Sequence, residues 1–171
     1  IREIKIRKMN NVNVDRFANE SGPGIKYDIP TNGLFQAYWS TGKLRYEWYY
    51  KDGKKEGVTK GWYENGKLKQ IKAFKNGEKN GIWTFWYENR QKKREESFKD
   101  GKPDGLFTYW DENGKKKSEV NYKDGENDGL CTSWFDNGQK QYEGIFKDGK
   151  EDGLHTWWYR NGQKQKERNY T

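Results

Sequence analysis

The chain should fold as an all-β protein: an elongated, twisted, single-sheet antiparallel β-meander of about six stacked hairpin repeats. Three observations predict this. Glycine recurs every 24 residues in three interleaved combs: Gly33, Gly57, Gly81, Gly105, Gly129 and Gly153; Gly53, Gly77, Gly101, Gly125 and Gly149; and Gly42, Gly66, Gly114, Gly138 and Gly162, with Arg90 where the third comb lacks a member. Between the glycines lie short aromatic and β-branched runs bounded by Asn-Gly and Asp-Gly, which are strand and turn signals. No segment sustains the period of about 3.6 residues that a helix requires. A fixed interval of this kind marks copies of one supersecondary unit that stack on their neighbours.

Residues 1–32 precede the first copy. Ile1, Ile4 and Ile6 alternate with charged residues and suggest a strand that caps the first hairpin, and Asn19 to Gly24 reads as loop. Residues 33–171 form the six-copy array. The fourth copy shows the pattern: Gly105-Leu106-Phe107-Thr108-Tyr109-Trp110, a turn at Asn113-Gly114, then Lys116 to Tyr122, then Asp124-Gly125. Asn-Gly suits a two-residue type I′ turn, whose central residues both need positive φ. Twelve strands at ~4.8 Å spacing would extend on the order of 55 Å and must twist.

The pleat then sorts the side chains. The first residue after each opening glycine reads Leu34, Val58, Ile82, Leu106, Leu130, Leu154, and the fifth reads Tyr38, Trp62, Trp86, Trp110, Trp134, Trp158. These uniform columns are expected to pack copy against copy. Threonines 84, 108, 132 and 156, third in their copies, should face Glu95, Glu119, Glu143 and Glu167 across each hairpin, with Ile71 interrupting the glutamate series. On the opposite face the second column (Phe35, Thr59, Trp83, Phe107, Cys131, His155) and the fourth (Ala37, Gly61, Phe85, Tyr109, Ser133, Trp157) vary between copies. Varied positions in a repeat array can address a ligand. Phe35, Trp83, Phe85, Phe107, Tyr109, His155 and Trp157 are therefore the candidate partner-binding residues, the competing reading being that this face packs against itself. Tyr50, Phe74, Phe98, Tyr122, Phe146 and Tyr170 each fall opposite an opening glycine, as in aromatic rescue of strand glycines.

Composition limits the function classes. Only 30% of residues are apolar against 35% charged, too few for an ordinary core, but 17% are aromatic, including nine tryptophans. Rings that bury roughly 150–250 Å² each can replace the missing aliphatics. The net charge of +8 favours an anionic partner or serves solubility. Lys92, Lys93, Lys116, Lys117, Lys140 and Lys164 begin the second strands and would line up as a basic stripe, an alternative site for phospholipid, nucleic acid or acidic polysaccharide. His155 and Cys131, the only histidine and the only thiol, lie one copy apart. At roughly 10 Å, twice the strand spacing, they are too distant for a nucleophile and its base. No catalytic residues, metal site or cofactor is expected, since lysines interrupt the carboxylates near the Asp-Gly turns and oppose calcium. No apolar run reaches the length of a membrane-spanning helix. The chain opens on Ile1, which leaves open both a cleaved export signal and a shortened chain. An exported or cell-surface location is favoured over a cytoplasmic one.

The unit Gly-x-Trp-x-x-Trp-Tyr-Glu-Asn-Gly-Gln-Lys-Lys-x-Glu-x-x-Tyr-Lys-Asp-Gly-Lys-x-Asp resembles the MORN-repeat variant of many bacterial proteins. It is clearest in Gly81–Asp104, Gly105–Asp128 and Gly129–Asp152, with a shortened copy at Gly153–Thr171 and looser ones at Gly57–Asn80 and Gly33–Glu56. The resemblance implies stacked hairpins and a non-enzymatic role in contact with proteins or membrane surfaces. Some relatives carry an antitoxin label, which implies inhibition of a toxin as a further alternative.

Overall fold

The computed structural model describes residues 4–8, 16–18 and 31–171. All regular structure among them is β-strand, and the chain divides into two compact units, Ile1–Lys79 and Asn80–Thr171. The expected leader residue Ile1 and the loop at 19–24 lie outside the described residues.

The first unit contains β1 (Ile4–Lys8), β2 (Arg16–Ala18), β3 (Gly33–Tyr38), β4 (Leu44–Lys51), β5 (Lys54–Trp62), β6 (Leu68–Lys75) and the short β7 (Glu78–Lys79). Its sheet order is β2-β1-β3-β4-β5-β6, with β7 paired to β6, and β1 runs antiparallel to both β2 and β3. The second unit contains β8 (Gly81–Trp86), β9 (Lys92–Lys99), β10 (Lys102–Pro103), β11 (Gly105–Trp110), β12 (Lys116–Lys123), β13 (Glu126–Trp134), β14 (Lys140–Lys147), β15 (Lys150–Trp158) and β16 (Lys164–Tyr170). Its order is β8-β9-β11-β12-β13-β14-β15-β16, with β10 on β9. Each unit is thus an antiparallel meander of sequential hairpins, as the repeat predicts.

The three glycine combs have one cause, positive φ. The Asp-Gly turns link one hairpin to the next. They place both central residues there, for example Asp52 and Gly53 at 50° and 73°, and Asp124 and Gly125 at 51° and 99°. With Lys51 facing Lys54 and Lys123 facing Glu126, these are the two-residue type I′ loops. The Asn-Gly turns, expected to be type I′, are instead three-residue loops. Gly66 N–H donates to Tyr63 O at 2.9 Å and Tyr63 N–H to Lys67 O at 2.9 Å, so a type I turn is followed by a left-handed glycine. The asparagine supports these loops: Asn65 Oδ1 accepts the Lys67 N–H at 3.0 Å, and Asn137 and Asn161 repeat the bond two residues on. That local bond mimics a backbone turn, with only the glycine at positive φ. Thr41-Gly42 nevertheless forms the same loop without it, and Asn76-Gly77 forms the two-residue type I′ loop. The opening glycines, from Gly33 at 114° to Gly153 at 68°, lie where the strands bulge. The register shifts between Val120 and Tyr122, opposite Gly129, and between Glu143 and Ile145, opposite Gly153.

Stacked turns hold the hairpins together at their ends. The N–H of Gly77 donates to Lys55 O at 2.8 Å, that of Gly125 to Pro103 O at 2.8 Å and that of Gly149 to Asn127 O at 2.9 Å. One side chain adds a parallel bond: Asn32 Oδ1 accepts from Asp52 N at 2.9 Å and Glu56 Oε2 from Asn76 N at 2.7 Å. Asp104 and Asp128 occupy the equivalent place beneath Asp124 and Asp148, at 3.4 Å. These carboxylates, which at first sight suggest a cation site, bond to backbone donors of the next turn.

Arg90 adopts φ 73°, the conformation of the glycines in its comb. A left-handed residue with a Cβ costs roughly 1–2 kcal/mol. Arg90→Gly is therefore expected to stabilise the chain by about 1 kcal/mol, read as a raised denaturation midpoint in urea with an unchanged slope.

Candidate interaction surface

Residues at alternate positions along each hairpin define two faces, and burial distinguishes them sharply. The face that bears the second and fourth columns is packed. Phe35, Trp83, Phe85, Phe107 and His155 are all buried, as are Ala37, Thr59 and Cys131. Tyr109 and Trp157 are half-buried. The other face exposes its aliphatics: Val58 51%, Ile82 56%, Leu106 45%, Leu130 46% and Leu154 52%. The uniform first column, expected to pack copy against copy, is thus open to solvent. The varied column, expected to address a partner, supplies the core of each unit.

Rings in serial contact produce this asymmetry. The register places Tyr50 opposite Gly33, Phe98 opposite Gly81, Tyr122 opposite Gly105 and Tyr170 opposite Gly153. Each ring reaches the second-column residue of its own or the next hairpin. In the second unit the centroids run from Trp83 to Phe98 at 4.9 Å, to Phe107 at 5.3 Å and on to Tyr122 at 4.6 Å. The series resumes as Phe146, His155 and Tyr170, at 5.2 and 4.7 Å. In the first unit Phe35 meets Tyr50 edge-on at 5.6 Å. Edge-on and tilted contacts at these separations are the favoured aromatic geometries. Charge closes the layer from above, with Arg94 over Phe85 at 3.9 Å and facing the buried Glu96 at 3.2 Å, and Lys166 over Trp157 at 4.9 Å.

His155 is a member of this layer and is fully buried. Its Nε2 lies 2.7 Å from the Ile145 carbonyl, which can only accept, so Nε2 carries the proton. Nδ1 then accepts from the Tyr142 hydroxyl at 2.8 Å. Burial, with Cys131, Glu151 and Tyr170 nearby, pushes the Tyr142 phenol up to about 12 and keeps it a donor. Gly144 makes room for the bond, because a Cβ there would come within 3.0 Å of both Tyr142 Oη and His155 Nδ1. Burial also raises the Cys131 thiol, which disfavours the thiolate a nucleophile needs. The histidine and the thiol are thus core groups of adjacent hairpins, a placement that repeat parity alone could not reveal.

The exposed face has three rows. Besides the aliphatic row, Thr108, Thr132 and Thr156 lie opposite Glu119, Glu143 and Glu167 as expected, with Ile71 opposite Lys60, but these three threonines are buried between their neighbours. The third row alternates Trp86, Trp110, Trp134 and Trp158 with Lys92, Lys116, Lys140 and Lys164. Each of these lysines bonds to the glutamate three residues on, Lys92 to Glu95 at 2.7 Å and Lys116 to Glu119 at 2.6 Å, and likewise Lys140 to Glu143 and Lys164 to Glu167. The lysine at Glu167 holds that carboxyl below the usual range. Lys93 and Lys117 stand apart at strand bulges, where Lys93 covers the Tyr87 ring at 5.1 Å. The expected basic stripe is therefore split, and its larger part is neutralised in place.

Six segments of the chain, 31–52, 55–76, 79–100, 103–124, 127–148 and 151–171, match the MORN repeat variant. They cover most of the sequence, and the protein belongs to the MORN-repeat variant family. No curated protein matches the chain. Members of this class generally serve in binding and scaffolding, commonly towards proteins or membrane lipids, and typically without catalysis.

Two measurements probe the packed face. Tyr142 has a folded-state value above its unfolded one, so the native state keeps the proton longer and stability falls as pH rises from about 10 towards about 12. Thermal unfolding followed against pH, alongside tyrosinate absorbance, checks this: Tyr142→Phe should flatten the decline. Gly144→Ala, which drives a methyl into the Tyr142–His155 bond, should cost about 2–4 kcal/mol in chemical denaturation.

Proposed function

We propose that the protein is a non-enzymatic binding module that presents its exposed aliphatic row, with the lysine–glutamate pairs and half-buried tryptophans beside it, to a protein partner. The observation that supports this is an inversion of the usual rule for repeats. Buried positions should be the uniform ones, because they build the scaffold, and exposed positions should drift. Here the buried second column runs from tryptophan to threonine to cysteine, while the half-exposed first column is aliphatic in every copy. Solvent exposure gives an aliphatic side chain no folding advantage, so contact with another surface is the reading that accounts for its recurrence.

This reading moves the partner away from Phe35, Trp83, Phe85, Phe107 and His155, whose rings are occupied by their own neighbours. It also ranks above adsorption to an anionic surface through the lysines. The lysine–glutamate pairs cancel the field that a polyanion or lipid headgroup would require.

Photo-activatable residues installed singly at Leu106, Leu130, Lys93 and Lys117 test the proposal in the source cells. Polypeptide adducts are expected from positions 106 and 130. Adducts to lipid or nucleic acid from 93 and 117 alone would favour the anionic-surface reading, and silence at 106 and 130 would overturn the protein-binding one.

A further inference from the structure

From the second unit we infer that the partner on the exposed face is a second copy of this chain, mated face to face; the inference rests on the binding-module reading above. Across each hairpin the aliphatic row sets a large residue beside a smaller or polar one: Ile82 opposite Ser97, Leu106 opposite Asn121 and Leu154 opposite Asn169, with Leu130 opposite Ile145 as the exception. The middle row alternates threonine with glutamate, and the third alternates tryptophan with lysine. A twofold axis parallel to the strands keeps each row over its own counterpart. An offset of one strand, ~4.8 Å, then sets leucine over serine or asparagine and lysine over tryptophan, above a middle row whose threonines 108, 132 and 156 are buried within the chain. Knobs meet holes and ammonium groups meet ring faces, so the surface is complementary to itself.

Charge and area agree with this occupant. The face carries four lysines and four glutamates in bonded pairs, so it is locally neutral although the chain is +8. Two copies can therefore approach through it without stacking their net charge. Eight strands at ~4.8 Å and five residues at ~3.4 Å give a footprint of roughly 650 Å². That approaches the ~800 Å² per partner of a standard stable interface, large enough for a reversible dimer.

Sedimentation of the full chain from ~1 to ~500 µM, a range that brackets micromolar affinity, is the test. A monomer–dimer equilibrium is expected for the natural sequence. Leu106→Glu with Leu130→Glu should weaken it at least about tenfold, since buried carboxylates would face apolar surface, with the circular dichroism unchanged. A charge-exchange pair removes any doubt about folding. Glu119→Lys with Glu143→Lys and, separately, Lys116→Glu with Lys140→Glu should each dissociate alone and re-associate when mixed. A chain monomeric throughout, or a dimer indifferent to the leucine changes, overturns the inference. If the purified chain stays monomeric while adducts at Leu106 lead to another polypeptide, the second-copy inference falls and the binding-module reading stands.

Discussion

A thin sheet must find its buried surface among its own side chains, and here one contact supplies it: an aromatic ring at the end of the second strand laid onto the second-column residue of the hairpin. Phe98 pairs with Gly81 and Tyr170 with Gly153, and each ring reaches the second-column residue two positions beyond its glycine, Trp83 and His155. Rings then touch in series from strand to strand. The opening glycines answer to positive φ and not to the ring, since a Cβ at Gly33 or Gly153 would meet no neighbour. Aliphatic residues could not substitute, since none spans two strands with so few rotatable bonds.

The core tolerates variety because each ring contacts its neighbours locally. Cys131, opposite Gly144, leaves the series of rings interrupted between Tyr122 and Phe146, and the freed volume admits the Tyr142 hydroxyl and its bond to His155. One polar bond thus replaces one ring contact. The strand spacing already argued against chemistry between a histidine and a thiol one copy apart. In the fold the histidine has both nitrogens engaged and the thiol is kept protonated by burial.

Much of this was legible in the sequence. The 24-residue interval gave the hairpins, the pairing of Thr108 with Glu119 and the placement of each terminal aromatic against its glycine, because register follows from turn spacing and a period of two. Which face is buried did not follow. Parity assigns residues to faces but says nothing about which way a sheet packs, and the more uniform column proved to be the exposed one. The length of the turns did not follow either: Asn-Gly closes a three-residue loop at Asn65-Gly66 but a two-residue loop at Asn76-Gly77, so the place within the copy and not the dipeptide sets the turn.

The stacked turns carry a consequence for how such a chain can change length. The turn donors of Asn76, Asp124 and Asp148 find their acceptors in the preceding copy, on Glu56, Asp104 and Asp128. Excision of a complete copy leaves every donor with an equivalent acceptor, whereas excision of a single strand would bring unlike loops together and invert the faces beyond the cut. Growth and shrinkage are therefore quantised. The gene can duplicate or lose whole modules, but an intermediate length has no stable structure to occupy.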